Sequence, residues 1–312
     1  MQDLENLKTA AVQAGKIALG YFDKHYKTWD KEAGAGPVTE ADLEIDDFLK
    51  TFLLNCEPRY GWLSEETEDG SSRLTKSKVF IVDPIDGTRS FIAGEETWAH
   101  SLAVVENSIP IAAVIYLPKM DLLYTAEVGK GAFLNGDKIF VSQKHELKDA
   151  EILSKKSILK ENIWKNYNPA LFKQQFLPSL AYRLALVAEG KFDAMIALGR
   201  SWEWDICAGH LLVSEAGGRI TTSYGDQIEY NSKAALPCHT LRNSTLLMFR
   251  WSPVLVCILF VLDSTLHHYA PLNDTLITRN TRLDLPRLAS PRLASTLLYS
   301  TRILVESIHH SI

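Results

Sequence analysis

The run VFIVDPIDGT, residues 79–88, ends four apolar residues with Asp83 and Asp86 around a proline. Two carboxylates that close repel one another, and both ionise comfortably only beside positive charge. Pro84 stiffens the link between them. Gly87 permits a tight backbone path, and Thr88 can cap a short helix. A helix start attracts anions, so the amides of Gly87 and Thr88 would face whatever the aspartates hold. Carboxylates for a cation beside amides for an anion is the pairing a metal-bound phosphate requires. Further acids could join: Glu65 and Glu66 in the SEET loop, Asp205 in WEWD at a helix start, and Asp42 on an earlier helix. Hard divalent cations such as Mg²⁺ take oxygen ligands of this kind. Two such ions about 4 Å apart clamp the attacking and leaving oxygens of a phosphoryl displacement. Taken singly, each motif has a plainer reading: DPIDGT as an ordinary strand-to-helix turn, Glu65-Glu66 as a solvated loop, Asp205 as a charge favoured by a helix dipole.

Several elements must bring these residues together. Leu4, Leu7, Ala11, Ala14, Ile17, Ala18 and Phe22 recur at helical spacing. A second helix begins near Thr39, where Thr39 and Asp42 resemble a capping box with Asp in place of Glu or Gln. KVFIVD reads as a buried strand, and SLAVVEN, PIAAVIYLP, DLLYTAEV and GKGAFLNGDKIFVS as adjacent antiparallel strands. PSLAYRLALVAEG has Ser179 near its start and Gly190 at its end, as a capped and glycine-stopped helix would. KFDAMIAL is a strand, and WEWDICAGHLLVSEAGG a helix ending at Gly217-Gly218. The pattern predicts an α/β (α+β) layered sandwich over residues 1–235, in two αβ halves meeting near 145–150.

The 312-residue chain carries 33 basic and 38 acidic side chains, a formal net charge of −5. That balance lacks the footprint of a dedicated nucleic-acid binder. Cys56, Cys207, Cys238 and Cys257 show neither zinc spacing nor a disulfide framework, so they read as free thiols in a reducing cytosol. The first residues lack a basic stretch followed by an apolar core, so they do not read as a signal peptide. Past residue 235 acids become sparse, and PRLAS repeats in tandem at 286–290 and 291–295. Residues 246–262 are apolar but contain Arg250 and Pro253, too short and interrupted for a membrane span. Residues 236–312 are therefore expected to form an atypical low-complexity extension, poorly ordered or misfolded.

The ordered set GPVTEADLEID, WLSEETED, VFIVDPIDGT and WEWDICAGHLLVSEAGG resembles the inositol monophosphatase superfamily of Mg²⁺-dependent, lithium-sensitive phosphomonoesterases. WLSEETED, PSLAYRLALVAEGKFD and the region from Trp29 to Asp42 look most similar to bacterial CysQ-type 3′(2′),5′-bisphosphate nucleotidases. The resemblance implies an αβαβα sandwich. It implies that Glu65, Asp83, Asp86, Asp205 and the main-chain oxygen of Ile85 ligate two or three Mg²⁺ ions. Thr88 with Glu65 would activate a metal-bound water, and Asp42 would orient Thr88. The amides of Gly87 and Thr88 would hold phosphate, with Lys31 nearby. The implied substrate is 3′-phosphoadenosine 5′-phosphate, hydrolysed to AMP and phosphate in the cytoplasm. The alternatives are an inositol-1-phosphate or histidinol-phosphate phosphatase, or an inactive phosphate-binding relic. A homodimer is compatible with the resemblance, and neither a nucleic-acid nor a membrane partner is expected.

Two departures stand out. Animal inositol phosphatases carry a glutamate a few residues before the WD motif, where this chain has Leu198, followed by Arg200. That argues against inositol, and Arg200 would suit a second phosphate. The sequence after residue 236 does not resemble the family's ending. Elsewhere, His100 reads as a satisfied polar residue at a strand end. One of Trp202 and Trp204 reads as core and the other as a surface for base stacking. No glycine-rich phosphate loop points to ATP.

Overall fold

The computed structural model describes residues 2–31, 36–159, 171–198, 201–222, 225–235 and 245–248, all within the unit Met1–His267. Helix α1 (Gln2–Tyr21) and a short hairpin, β1 (Thr28–Asp30) with β2 (Pro37–Thr39), lead into α2 (Glu40–Cys56). The capping box is real: the Thr39 hydroxyl accepts from the Ala41 and Asp42 amides, and Asp42 accepts from the Thr39 amide. The chain then forms β3 (Gly61–Ser64), a 3₁₀ turn at Ser71–Thr75, β4 (Lys78–Asp86) and the single-turn α3 (Thr88–Ile92). Five more strands follow: β5 (Ala99–Glu106), β6 (Ile109–Leu117), β7 (Leu122–Glu127), β8 (Gly131–Leu134) and β9 (Asp137–Ile139).

These build a seven-stranded sheet in sequential order, β3 to β9, with β3 parallel to β4 and the rest antiparallel. Both of its faces are covered, which explains why its central strands are apolar throughout instead of alternating. In β4, Phe80 and Val82 pack with α1 and α2 through Leu7, Ala14, Ile45 and Leu49. Val79 and Ile81 point the other way, into a cluster with Leu184, Leu212 and Val213.

That second cluster belongs to α4 (Leu180–Ala188) and α5 (Glu203–Glu215). The two helices approach so closely that a Cβ on Gly209 would meet the Leu184 side chain at 2.2 Å. Beyond them lies a five-stranded sheet of β10 (Glu151–Ser154), β11 (Lys173–Gln175), β12 (Ala194–Leu198), β13 (Ile220–Thr222) and β14 (Thr245–Met248), in the order β11-β10-β12-β14-β13. Helix pair, sheet, helix pair and sheet are thus four layers of the expected sandwich among the described residues.

One strand was not anticipated and one boundary needs correction. Glu65 and Glu66 lie in the expected loop, which follows directly on an edge strand, Gly61–Ser64. Strand β14 sits between β12 and β13, so the second sheet uses residues beyond 235, where the sequence reading ended the domain. A strand filling that gap supplies ladder partners to both neighbours, which neither side alone could provide. Among the described residues no helix is long and apolar enough to cross a membrane. Arg200, Cys238, Cys257, the PRLAS repeats and most of the apolar 246–262 stretch lie outside the described residues.

Candidate metal and phosphate site

In a regular strand Asp83 and Asp86, three residues apart, would face opposite sides of the sheet. The register of β4 on β5 shifts between them: Asp83 lies opposite Ser101, Asp86 opposite Ala99. One extra residue on β4 makes a bulge, and both carboxylates turn the same way. Pro84 suits the irregular segment because it has no amide to donate. Its carbonyl meets Nδ1 of the fully buried His100. Burial holds that imidazole neutral, its pKa lowered to about 4, so His100 buttresses the bulge. Its Nε2 has no protein partner, so it is satisfied on one side only.

The third acid comes from far along the chain. Asp205 occupies the first turn of α5, where its Oδ2 accepts from the Trp202 amide at 2.8 Å. Oxygen atoms of Asp83, Asp86 and Asp205 all lie within 4.8 Å of one another. Burial is the first cause that raises all three carboxyl pKa values, Asp83 and Asp205 strongly, and their mutual repulsion adds to it for Asp83 and Asp205. Asp86 is partly relieved because its Oδ2 takes the Ser179 hydroxyl and the Ala181 amide, both at 2.6 Å. Asp83 Oδ1 is buried with no hydrogen-bond partner in the protein. Three oxygen-only donors, Asp83 buried and with an orphaned carboxylate atom, fit a hard divalent cation.

Glu65 stands next to this trio without joining it. Its charge helps to raise Asp83 and Asp205, yet Oε1 is held by Lys31 Nζ at 2.7 Å. The same ammonium reaches Glu66 Oε1 at 2.6 Å. Lys31 is therefore placed on the two glutamates and neutralises part of the cluster. Burial and Glu65 raise the Glu66 carboxyl to about 7. The loop bearing both glutamates is tied to α2, because Asp46 accepts from the hydroxyls of Ser64 and Thr67.

Gly87 follows the bulge with φ 97°, a left-handed conformation that favours glycine, and it is Gly87, not Thr88, that caps α3. A side chain there would also crowd the Thr97 carbonyl, 3.2 Å from an added Cβ. Thr88 becomes the first helical residue, and its hydroxyl is freed from capping. It lies 3.1 Å from the Ile85 carbonyl and 3.4 Å from Asp42 Oδ1. The other oxygen of Asp42 accepts from the Thr39 amide at 2.8 Å and the Thr39 hydroxyl at 2.5 Å. Burial raises the Asp42 carboxyl to about 6.

Trp204 is buried, while Trp202 is 43% exposed and stacked on it, ring centroids 5.0 Å apart and planes 11° apart. Sequence reasoning missed Ser179 and the Ala181 amide as supports of Asp86. It read Ser179 as a helix cap, which it is, through Tyr182 N. It also passed over Arg183, whose positive charge acts on Asp86 and Asp205.

Clustered buried carboxylates beside a threonine-bearing turn, on a layered α/β sandwich, define a metal-dependent phosphoric monoester hydrolase. The comparisons give the family: residues 1–248 match the model of the inositol monophosphatase family, and the chain belongs to it. It is 32% identical over 236 residues to inositol monophosphatase 2 of Solanum lycopersicum, covering 72% of this chain and 88% of the relative. It is 35% identical over 231 residues to an inositol-1-monophosphatase of Mesorhizobium japonicum, covering 70% and 84%. Among solved structures, the extragenic suppressor protein suhB of Bartonella henselae superposes with a TM-score of 0.71 at 26% identity, covering 85% of this chain and all of that one. These names favour the inositol-phosphate alternative over the nucleotidase expected from the CysQ-like segments.

Proposed function

We propose that the protein hydrolyses a cyclitol phosphate of the inositol-1-phosphate type, releasing inorganic phosphate. The observation that carries the chemistry is the convergence of Asp83, Asp86 and Asp205 within 4.8 Å, beside Thr88 and Asp42. The relatives' names support the cyclitol as substrate. Glu65, Asp83, Asp86, Asp205 and the Ile85 carbonyl would hold two or three Mg²⁺ ions. When bound, Mg²⁺ neutralises charge on the phosphoryl group and makes water a stronger nucleophile at neutral pH.

The chain's own groups do the remaining work. Thr88, between Asp42 and the Ile85 carbonyl, orients the attacking water, and Glu65 takes its proton. Asp42, with one oxygen saturated by Thr39, keeps the other for the Thr88 hydroxyl. The backbone of Gly87 and Thr88 receives the phosphate.

One observation favours a second reading, a 3′(2′),5′-bisphosphate nucleotidase: the outward face of Trp202 offers a base-stacking surface. Phosphate release from inositol-1-phosphate, 3′-phosphoadenosine 5′-phosphate and histidinol phosphate, each with and without Mg²⁺, decides between them. The highest kcat/KM is expected on inositol-1-phosphate. Faster turnover of the nucleotide would transfer the assignment to the second reading, and Mg²⁺-independent release would end both.

A further inference from the structure

Arg73 is a buried cation that makes no hydrogen bond to the acids of the metal site, and the proposed chemistry gives it no part. It is 1% exposed, on the 3₁₀ turn between β3 and β4, so it follows Glu65 and precedes Asp83. Its guanidinium is used on two sides. Nε and Nη2 grip the two oxygens of Asp69, each at 2.7 Å. On the other side Nη1 donates to Asn231 Oδ1 at 2.6 Å and Nη2 to the Ser232 carbonyl at 2.9 Å. Asn231 returns a bond from Nδ2 to the Arg73 carbonyl at 3.4 Å.

The turn that Arg73 holds is itself a clamp on α5. The amides of Asn231 and Ser232 donate to the two oxygens of Glu203, at 2.5 and 2.8 Å. The Glu203 amide donates to the Ala235 carbonyl at 3.0 Å. Glu203 is fully buried and opens α5, two residues before Asp205. The next residue is anchored from the sheet, where the Ser101 hydroxyl donates to the Trp204 carbonyl at 3.0 Å. Arg73 also packs on the first residue of β3: a Cβ on Gly61 would sit 2.9 Å from the Arg73 Cβ. A continuous series of contacts thus runs from β3, which Glu65 follows directly, through Arg73 and the 231–235 segment, to the turn that presents Asp205.

We propose that Arg73 is a positioning residue, which through Asn231, Ser232 and Glu203 sets where Asp205 stands relative to Asp83 and Asp86. The proposal rests on the reading of those three acids as a cation site. The physical reason is geometric. The trio comes from two elements, β4 and α5, that are distant in the chain. A divalent ion binds tightly only when its donors are fixed before it arrives, since ordering them otherwise opposes binding. The forked guanidinium holds both oxygens of Asp69 on one side and Asn231 and Ser232 on the other, which a lysine ammonium cannot reproduce.

Mg²⁺ binding by isothermal titration calorimetry on the full chain tests this, at a temperature where near-UV circular dichroism shows each variant folded. Asn231 has φ 61°, so Asn231→Gly keeps the backbone and the amides on Glu203 while deleting the acceptor for Arg73. Asn231→Asp keeps an acceptor in a residue that tolerates the same conformation. The dissociation constant for Mg²⁺ is expected to rise by about 10-fold in Asn231→Gly and in Arg73→Lys, and to stay near wild type in Asn231→Asp. A contact that serves stability alone would lower the unfolding temperature of Asn231→Gly and leave the Mg²⁺ affinity of the folded protein unchanged. Asn231→Gly within twofold of wild type, or Asn231→Asp as weak as Asn231→Gly, overturns the proposal. Wild-type protein that takes up no Mg²⁺ removes the cation site itself, an outcome distinct from the other two.

Discussion

Asp83→Asn should stabilise the metal-free protein while destroying the activity. Asp83 has oxygen neighbours from Asp86 and Asp205 within 4.8 Å, and its Oδ1 receives no hydrogen bond from the protein. At that separation each like-charged neighbour costs about 3 kcal/mol at an effective dielectric of 20. The full sum is not realised, because the cluster retains protons instead, at about 1.4 kcal/mol per unit of pKa rise. Removing one charge is therefore expected to gain about 2 to 4 kcal/mol at pH 8, which raises the unfolding midpoint by several degrees. The sign follows from linkage. The Asp83 pKa is higher folded than unfolded, so ionisation disfavours the fold. The wild type carries no such penalty below the unfolded carboxyl pKa of about 4, and the penalty grows as pH rises above it. The two proteins should thus melt together near pH 4 and diverge by pH 8. Differential scanning calorimetry in EDTA across that range measures it. Mg²⁺ at one thousand times the dissociation constant should then reverse the ranking at pH 8, because only the wild type gains binding energy, about 4.1 kcal/mol. Asp83→Asn melting at or below wild type in EDTA at pH 8 would falsify the claim that unneutralised carboxylates are crowded there.

Three further outcomes follow from the same geometry. Thr88→Ala should lower kcat by about 10²-fold or more with little change in KM, since the hydroxyl touches Asp42 and Ile85 and is not a helix cap; steady-state phosphate release reads both constants. Gly87→Ala places a side chain at φ 97° against the Thr97 carbonyl and should cost about 1 to 3 kcal/mol in a denaturant melt, with weaker competitive inhibition by inorganic phosphate. Trp202→Ala should leave inositol-1-phosphate kinetics within about threefold while weakening nucleotide substrates by about 1 to 3 kcal/mol, and equal losses on both would remove the stacking role.

Much of the architecture was legible in local pattern. The Thr39–Asp42 capping box, the apolar run into DPIDGT, and the helices at 180–188 and 203–215 carry their physics within a few residues. The acids were legible too, because so many carboxylates in apolar or turn contexts need a cation. Some elements were not. Strand β3 is four residues beside two glutamates and has no period to read, and it exists because β4 supplies its ladder. Strand β14 pairs with β12 and β13 from a segment whose composition had shifted away from that of a core.

The sequence alone determined which residue types were available: four aspartates, two glutamates, a threonine after a glycine, and caps such as Thr39 and Ser179 that start helices. Only the tertiary structure decided who stands beside whom. The bulge that turns Asp86 to the side of Asp83 is a matter of register against β5. The pairing of Lys31 with Glu65 and Glu66, of Ser179 with Asp86, and of Arg73 with Asn231 spans 34 to 158 residues. Such contacts leave no periodic trace in a chain, because they depend on how layers pack and not on what lies three or four residues away.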